Sequence, residues 1–232
     1  MTDETGAGDA PRVTARGRAA LARVGIEDNP YLVDLERGAL DLAGFQATQE
    51  QFYFAVEFFS RPMAGLLAKI PDAGQRLDVL RNLVEEHGDF QGDRFHRATF
   101  ARFLASIGVP PARVEATVLW PEVRAFNAVL VTACVHDELE VGVACVGVIE
   151  QAFAGISARI GRAVVARGWV PEPDLAHYRL HAALDDQHAA DLFRIVEPRW
   201  DDPARRYYVE QSLELGAYVF DRLYRDLRRR VP

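Results

Sequence analysis

An all-α fold is predicted by three features of the 232-residue sequence. Apolar residues recur every three to four positions through successive segments, proline and glycine clusters separate those segments, and no stretch alternates apolar and polar residues for the length of a strand. No internal repeat of fixed period occurs, which argues against a solenoid or a propeller. The prediction is seven to eight main helices in one bundle.

Residues 1–12 are polar, glycine-containing and acidic and read as a disordered tail; residues 13–232 read as a single helical domain. Ala15 to Val24 predicts a short helix, and Asp28-Asn29-Pro30 breaks the chain before a small element from Tyr31 to Arg37. From Leu42 to about Ile70, Phe45, Phe52, Ala55, Phe59, Met63 and Leu66 recur at helical spacing, with Pro62 able to kink the helix without ending it. Asp72 is the predicted cap of the next helix, which carries Leu77, Leu80, Leu83 and Val84 and reaches Gly88. Helices follow through His96 to Ile107, over Ala112 to Leu119, and from Glu122 to His136. A long one from Asp137 to Arg167 is rich in glycine and alanine, which lets neighbouring helices approach closely. After the Gly168 to Pro173 break, helices are predicted to about Val196 and from Asp201-Asp202-Pro203 to Arg229.

Composition narrows the function classes. A net charge of -7 argues against a nucleic-acid footprint, and the basic run from Arg225 to Arg230 reads as a charged helix terminus. Two cysteines, Cys134 and Cys145, are too few for a disulfide framework, so a reduced, cytoplasmic protein is expected. No apolar run approaches the ~20 residues of a membrane span, so no membrane association is expected.

One stretch points to chemistry. In His181-Ala-Ala-Leu-Asp185-Asp186-Gln-His188 the two histidines and Asp185 fall at i, i+4 and i+7 and stack on one helix face. Two imidazoles and a carboxylate on one stripe make half of a metal site if another helix supplies the rest. The plain alternative is a solvated face, but Leu184, Ala189 and Leu192 put apolar residues around the stripe.

Three other segments set an acid in apolar company. Glu57 is the sole charge between Glu50 and Arg61, and Glu150 the sole charge between Glu140 and Arg159. A lone carboxylate there is costly unless paired or coordinated, the alternative being a core glutamate bonded to arginine or tyrosine. Glu86 is followed at +7 by Asp93 and at +10 by His96, a spacing that also suits ordinary helix-end capping. Taken together, four helices each offer a Glu, Asp or His. An oxygen-rich, histidine-containing set without thiolates suits iron or manganese better than zinc, and six or seven ligands imply two ions.

In Asn82-Leu-Val-Glu85-Glu86-His-Gly-Asp with His96 following, in Glu150 within its small-residue helix, and in His181-x3-Asp185-x2-His188, the chain resembles the haem-oxygenase-like dimetal oxidases. These are also described as iron-containing redox enzymes and are related in fold to TenA and PqqC. The resemblance spans roughly Leu42 to Arg228. It implies metal ligands at Glu57, Glu86, His96, Glu150, His181, Asp185 and His188, with Asp93 a further candidate and Glu85 competing with Glu86. It also implies two iron ions, with manganese as the alternative metal, and a catalytic part for the flexible glutamates Glu57, Glu86 and Glu150. The implied co-substrates are O2, a small metabolite and an external electron donor; dimers are common in this fold.

What the resemblance implies about chemistry divides. Some members oxygenate an amine nitrogen, the reading favoured here. Others cleave C–C bonds of fatty or amino acids. An aminobenzoate-forming branch relies on a tyrosine and a lysine near the metals, and it is disfavoured because Lys69 is the sole lysine and nothing places it near the ligand stripe. A TenA-like thiaminase would instead use Cys134 or Cys145 as nucleophile.

Overall fold

A computed structural model describes residues 11–232, apart from the side chains of Ala176 and Ala183. Among the described residues the regular structure is helical throughout. Ten α-helices follow in order: α1 (Arg12–Val24), α2 (Pro30–Arg37), α3 (Leu42–Lys69), α4 (Ala73–Glu86), α5 (His96–Ser106), α6 (Pro111–Ala116), α7 (Pro121–Val131), α8 (Leu139–Ala166), α9 (Ala176–Val196) and α10 (Pro203–Arg229). The all-α prediction holds, with more elements than the seven to eight predicted because short α2 and α6 are complete helices. The stretch predicted as a helix to His136 ends in a π turn, Thr132–His136. Of the tail predicted over residues 1–12, residues 1–10 lie outside the described residues, and Arg12 already opens α1.

The helix starts are written locally. Asn29, Asp41, Asp72 and Asp202 each accept a hydrogen bond from a first-turn N–H, and Pro30 and Pro203 occupy positions where a missing N–H costs nothing. At the C-terminal end of α4, Gly88 (φ 57°) carries the chain into a left-handed turn, and an added Cβ there would lie 2.4 Å from the Arg94 carbonyl carbon. That turn returns the chain so that α5 starts beside the end of α4.

The bundle is built around α8, buried over nearly its whole length, with α9 and α10 packed most extensively against it. Glycines permit that closeness. A Cβ at Gly147 would meet the Phe193 ring of α9 at 2.6 Å, and one at Gly216 of α10 would meet the Cys145 carbonyl oxygen at 2.6 Å. The apolar stretch of α8 also corrects an expectation: by length and composition it is a helix that could cross a membrane. The share buried inside the bundle, 83% of its most apolar window, accounts for that composition as a core helix.

Helix α4 departs in part from the prediction: Leu83 and Val84 are half-buried as its apolar face, but Leu77 and Leu80 are not. Asp78, Asn82 and Glu86 are buried, while Leu77 (52%) and Leu80 (40%) face solvent. The physical reason lies in what α4 covers: it packs on α9, whose facing stripe is polar.

Candidate metal centre

Helix α9 supplies the centre of the site. His177, His181, Asp185 and His188 lie at i, i+4, i+8 and i+11, and all four are at most 5% exposed. Facing them are Glu150 from the middle of α8, Glu86 from the last turn of α4 and His96 from the first turn of α5, each at most 7% exposed. Six of the seven ligands implied by the resemblance are therefore brought together in the interior.

Glu57 is the exception. It lies half-buried on α3, where its Oε1 pairs with Arg97 Nη1 at 3.2 Å, beside Arg61 and His87 in a surface groove rather than on the wall of the inner cavity. The structure does not bring Glu57 into the cluster; its charge is compensated by a neighbouring cation from α5, in a groove that Glu86 also lines. The Arg61 guanidinium lies 5.7 Å from the Phe58 ring centroid. Asp93 sits exposed in the turn Gly92–Arg94 and does not join the cluster. The choice between Glu85 and Glu86 resolves into two roles. Glu86 turns inward to His96, with Oε1 2.9 Å from Nδ1, and Glu85 hydrogen-bonds His188 Nε2 from the rim.

Within the cluster, His181 Nδ1 lies 2.9 Å from Asp185 Oδ1, a hydrogen bond that leaves Nε2 free. His188 Nδ1 is 3.7 Å from Asp185 Oδ1 and 3.8 Å from Glu150 Oε2, too long for hydrogen bonds. Ligand atoms of Glu150, Asp185 and His188 all lie within 4.8 Å of one another. Glu86, His96, Glu150 and His181 line a partly open cavity of about 40 Å³, room for roughly three water-sized groups. Glu150 thus belongs to both sets. The remaining wall is apolar: Phe52, Phe59, Phe126, Phe153 and Phe220. Phe54, Phe58 and Val146 are not on that wall. Tyr53, Tyr178 and Tyr218 do not line it either; Tyr178 is buried and donates to Gln49 Oε1 instead.

Burial dominates the electrostatics. It raises Glu150, helped by the like charge of Asp185, and raises Asp185 well above the usual carboxylate range. For His188 burial is outweighed by Glu150, Glu85 and Asp185, which push it up to about 10. For Glu86 burial is outweighed by His96 and the other histidines, which lower it, while Glu86 correspondingly raises His96. His181 drops to about 3 through burial and the neighbouring His96, so it is a neutral imidazole with a free lone pair.

These residues fit a metal. His96 Nε2, His181 Nε2, His188 Nδ1 and Glu150 Oε1 are buried without a hydrogen-bond partner. An unpaired buried polar atom costs ~1–3 kcal/mol, and several in one cavity are difficult to reconcile with a merely structural role. A ligand set of carboxylates and imidazoles without thiolates matches iron or manganese. Cys134 and Cys145 are buried away from the cavity, with burial pushing the Cys134 thiol up to about 12 and the Cys145 thiol higher still. Lys69 lies on the surface at the end of α3, bonded to the Asp137 carbonyl. Sequence reasoning missed His177; its signal was the repeated i, i+4 spacing one turn before His181.

Comparison with known proteins gives concordant results. A family model described as iron-containing redox enzyme matches residues 46–214. The 4-aminobenzoate synthase of Chlamydia trachomatis serovar D is 23% identical over 198 residues, 85% of this chain and 82% of that protein. A TenA homologue from Pseudomonas syringae pv. tomato superposes with a TM-score of 0.77 at 19% identity, covering 100% of this chain and 98% of that one. A domain of unknown function with a haem-oxygenase-like fold from Shewanella denitrificans superposes with a TM-score of 0.76 at 14% identity, covering 97% and 94%.

Proposed function

Because this chain belongs to the iron-containing redox enzyme family, we propose that it is a non-haem diiron oxygenase that oxidises a small metabolite, with N-oxygenation of an amine as its reaction. The observation that carries the reading is the position of Glu150, shared between the Glu150–Asp185–His188 group and the cavity lined by Glu86, His96 and His181. A carboxylate common to two ligand groups suits a pair of ions better than one. Glu86, His96, Glu150, His181, Asp185 and His188 would hold them, and Glu57 in its Arg97 pair stands outside the set. Manganese in one position is compatible with the same donors.

Bound iron would supply the electrons that activate O2. The chain's own residues do the rest. Asp185 fixes the His181 ring by accepting from Nδ1, and Glu85 orients His188 from the rim in the same way. The aromatic wall excludes water around the reacting groups and favours a substrate with an apolar portion. Conversion of an amine to a hydroxylamine consumes one O2, two electrons and two protons and yields water, so the reading requires an external electron donor.

Oxidative C–C cleavage of a fatty or amino acid is the second reading, favoured by that same aromatic lining. The 4-aminobenzoate synthase relative raises a third chemistry, against which Lys69 stands far from the cavity on the surface of α3. A thiaminase-type reaction is opposed by the burial of both cysteines away from the cavity. The experiment is incubation of the iron-loaded protein with 18O2, a reductant and panels of amines, amino acids and fatty acids. Label on the product nitrogen supports N-oxygenation, a shortened or alkene product supports cleavage, and no substrate-dependent O2 consumption contradicts both.

A further inference from the structure

We propose that His177 is a fourth histidine of the metal centre, holding one ion together with His96 and His181. The inference rests on the two-ion reading above and adds a residue that the resemblance does not supply.

His177 is 0% exposed on the first turn of α9, four positions before His181. Histidines at i and i+4 project from one helix face and form a familiar chelating pair. The rings of His177 and His181 are 4.4 Å apart, those of His96 and His181 4.5 Å, and those of His96 and His177 6.1 Å. Three imidazoles from two helices thus make one buried group.

The hydrogen bonds are compatible with a free Nε2 on His177. With the Thr99 hydroxyl donating its one proton to the His96 carbonyl at 2.9 Å, the 3.0 Å contact with His177 Nδ1 takes the imidazole as donor, the arrangement this proposal adopts. In that arrangement the proton sits on Nδ1, and Nε2 presents a bare lone pair. That Nε2 is buried without a partner, as are Nε2 of His96 and of His181. Three unpartnered nitrogens in one trio form a set of the kind that binds a divalent first-row ion. The His177 ring lies behind His181 rather than on the cavity wall, and the trio is looser than the Glu150–Asp185–His188 group, so binding would draw its nitrogens together. The result is an asymmetric pair of positions, one rich in nitrogen and one rich in oxygen.

The test compares the full-length chain with His177→Phe and His177→Gln, using Co(II) as a spectroscopic probe and Fe(II) as the metal. The expected result is two ions in the unaltered chain. Both variants should show at least about 10-fold weaker binding of one ion and a changed Co(II) visible band, as expected when a nitrogen donor is lost. His177→Phe should at the same time melt at the same or a higher temperature when metal-free, because it removes an unpaired buried nitrogen. Two ions bound with unchanged affinity and band in either folded variant would overturn the assignment and leave the diiron reading intact. A fall in metal-free melting temperature with an unchanged band would also overturn it, by making His177 a packing residue. Fewer than two ions in the unaltered chain would overturn the two-ion reading and this inference with it.

Discussion

At the level of single residues the proposed centre rests on Glu150 and His181. Glu150 is the shared carboxylate, and His181 is a neutral imidazole whose Nε2 has no partner. Replacing either by alanine is expected to weaken iron loading by at least about 100-fold, beyond what loss of an outer-shell partner typically costs, with helical circular dichroism unchanged. Full loading in either variant would contradict the ligand assignment. The same residues predict the pH dependence of the metal-free chain. His188, raised from 6.5 to about 10, contributes stability that is fully present below pH 6.5 and lost as pH rises through 10. Glu150 and Asp185, also raised, act in the same direction. His181, lowered from 6.5 to about 3, contributes stability present above pH 6.5 and lost as pH falls toward 3. Thermal denaturation of the metal-free chain should therefore show stability declining as pH rises from about 6.5 toward 10, while below pH 6.5 the His181 contribution is opposed by those of Glu150 and Asp185. Metal needs these groups deprotonated, so its stabilising effect should grow from pH 6.5 upward. Several of these residues were legible in the sequence: the i, i+4, i+7 spacing disclosed His181, Asp185 and His188, and charge isolation disclosed Glu150. The same isolation misled for Glu57, because its partner Arg97 comes from another helix 40 positions away and no local pattern records it.

At the level of elements, α8 and α9 must approach closely for Glu150 to reach the Asp185–His188 face, and Gly147 sets that distance. Gly147→Val is expected to cost roughly 1–3 kcal/mol by overpacking against Phe193, read by chemical denaturation, and to weaken metal loading as α9 moves away. A stable variant with unaltered loading would show that the packing gives way cheaply. Gly88→Ala places a Cβ against the Arg94 backbone at a positive φ and should lower stability and loading together, since that turn brings Glu86 to His96. Helix boundaries were readable because Asn29, Asp41, Asp72 and Asp202 are caps with side-chain hydrogen bonds. The orientation of α4 was not: Leu77 and Leu80 follow the usual apolar-inward rule only if the partner face is apolar, and α9 presents buried His181, Asp185 and His188 there instead. Polar residues buried on α4 are the mark of a functional face that amphipathic patterning misreads.

The whole molecule is an all-α bundle of haem-oxygenase-like fold wrapped on α8. Its class was plain from helical periodicity and the absence of strand alternation, both of which survive in the folded chain because the core is built from those periodic faces. What the sequence alone left open was whether the chemistry resides in the polar centre or in a thiol. Cys134 and Cys145 are each 0% exposed, so substitution of both by alanine should leave oxidase turnover intact at some loss of stability, about 1–2 kcal/mol per site for removal of a small buried side chain. Loss of turnover in both single variants, with iron retained, would favour a thiol-based reaction. The central claim is tested most directly by metal stoichiometry after anaerobic Fe(II) loading, followed by stopped-flow absorbance on mixing with O2. Two irons per chain and a transient visible band are predicted; no tightly bound iron and no transient would contradict a diiron oxygenase.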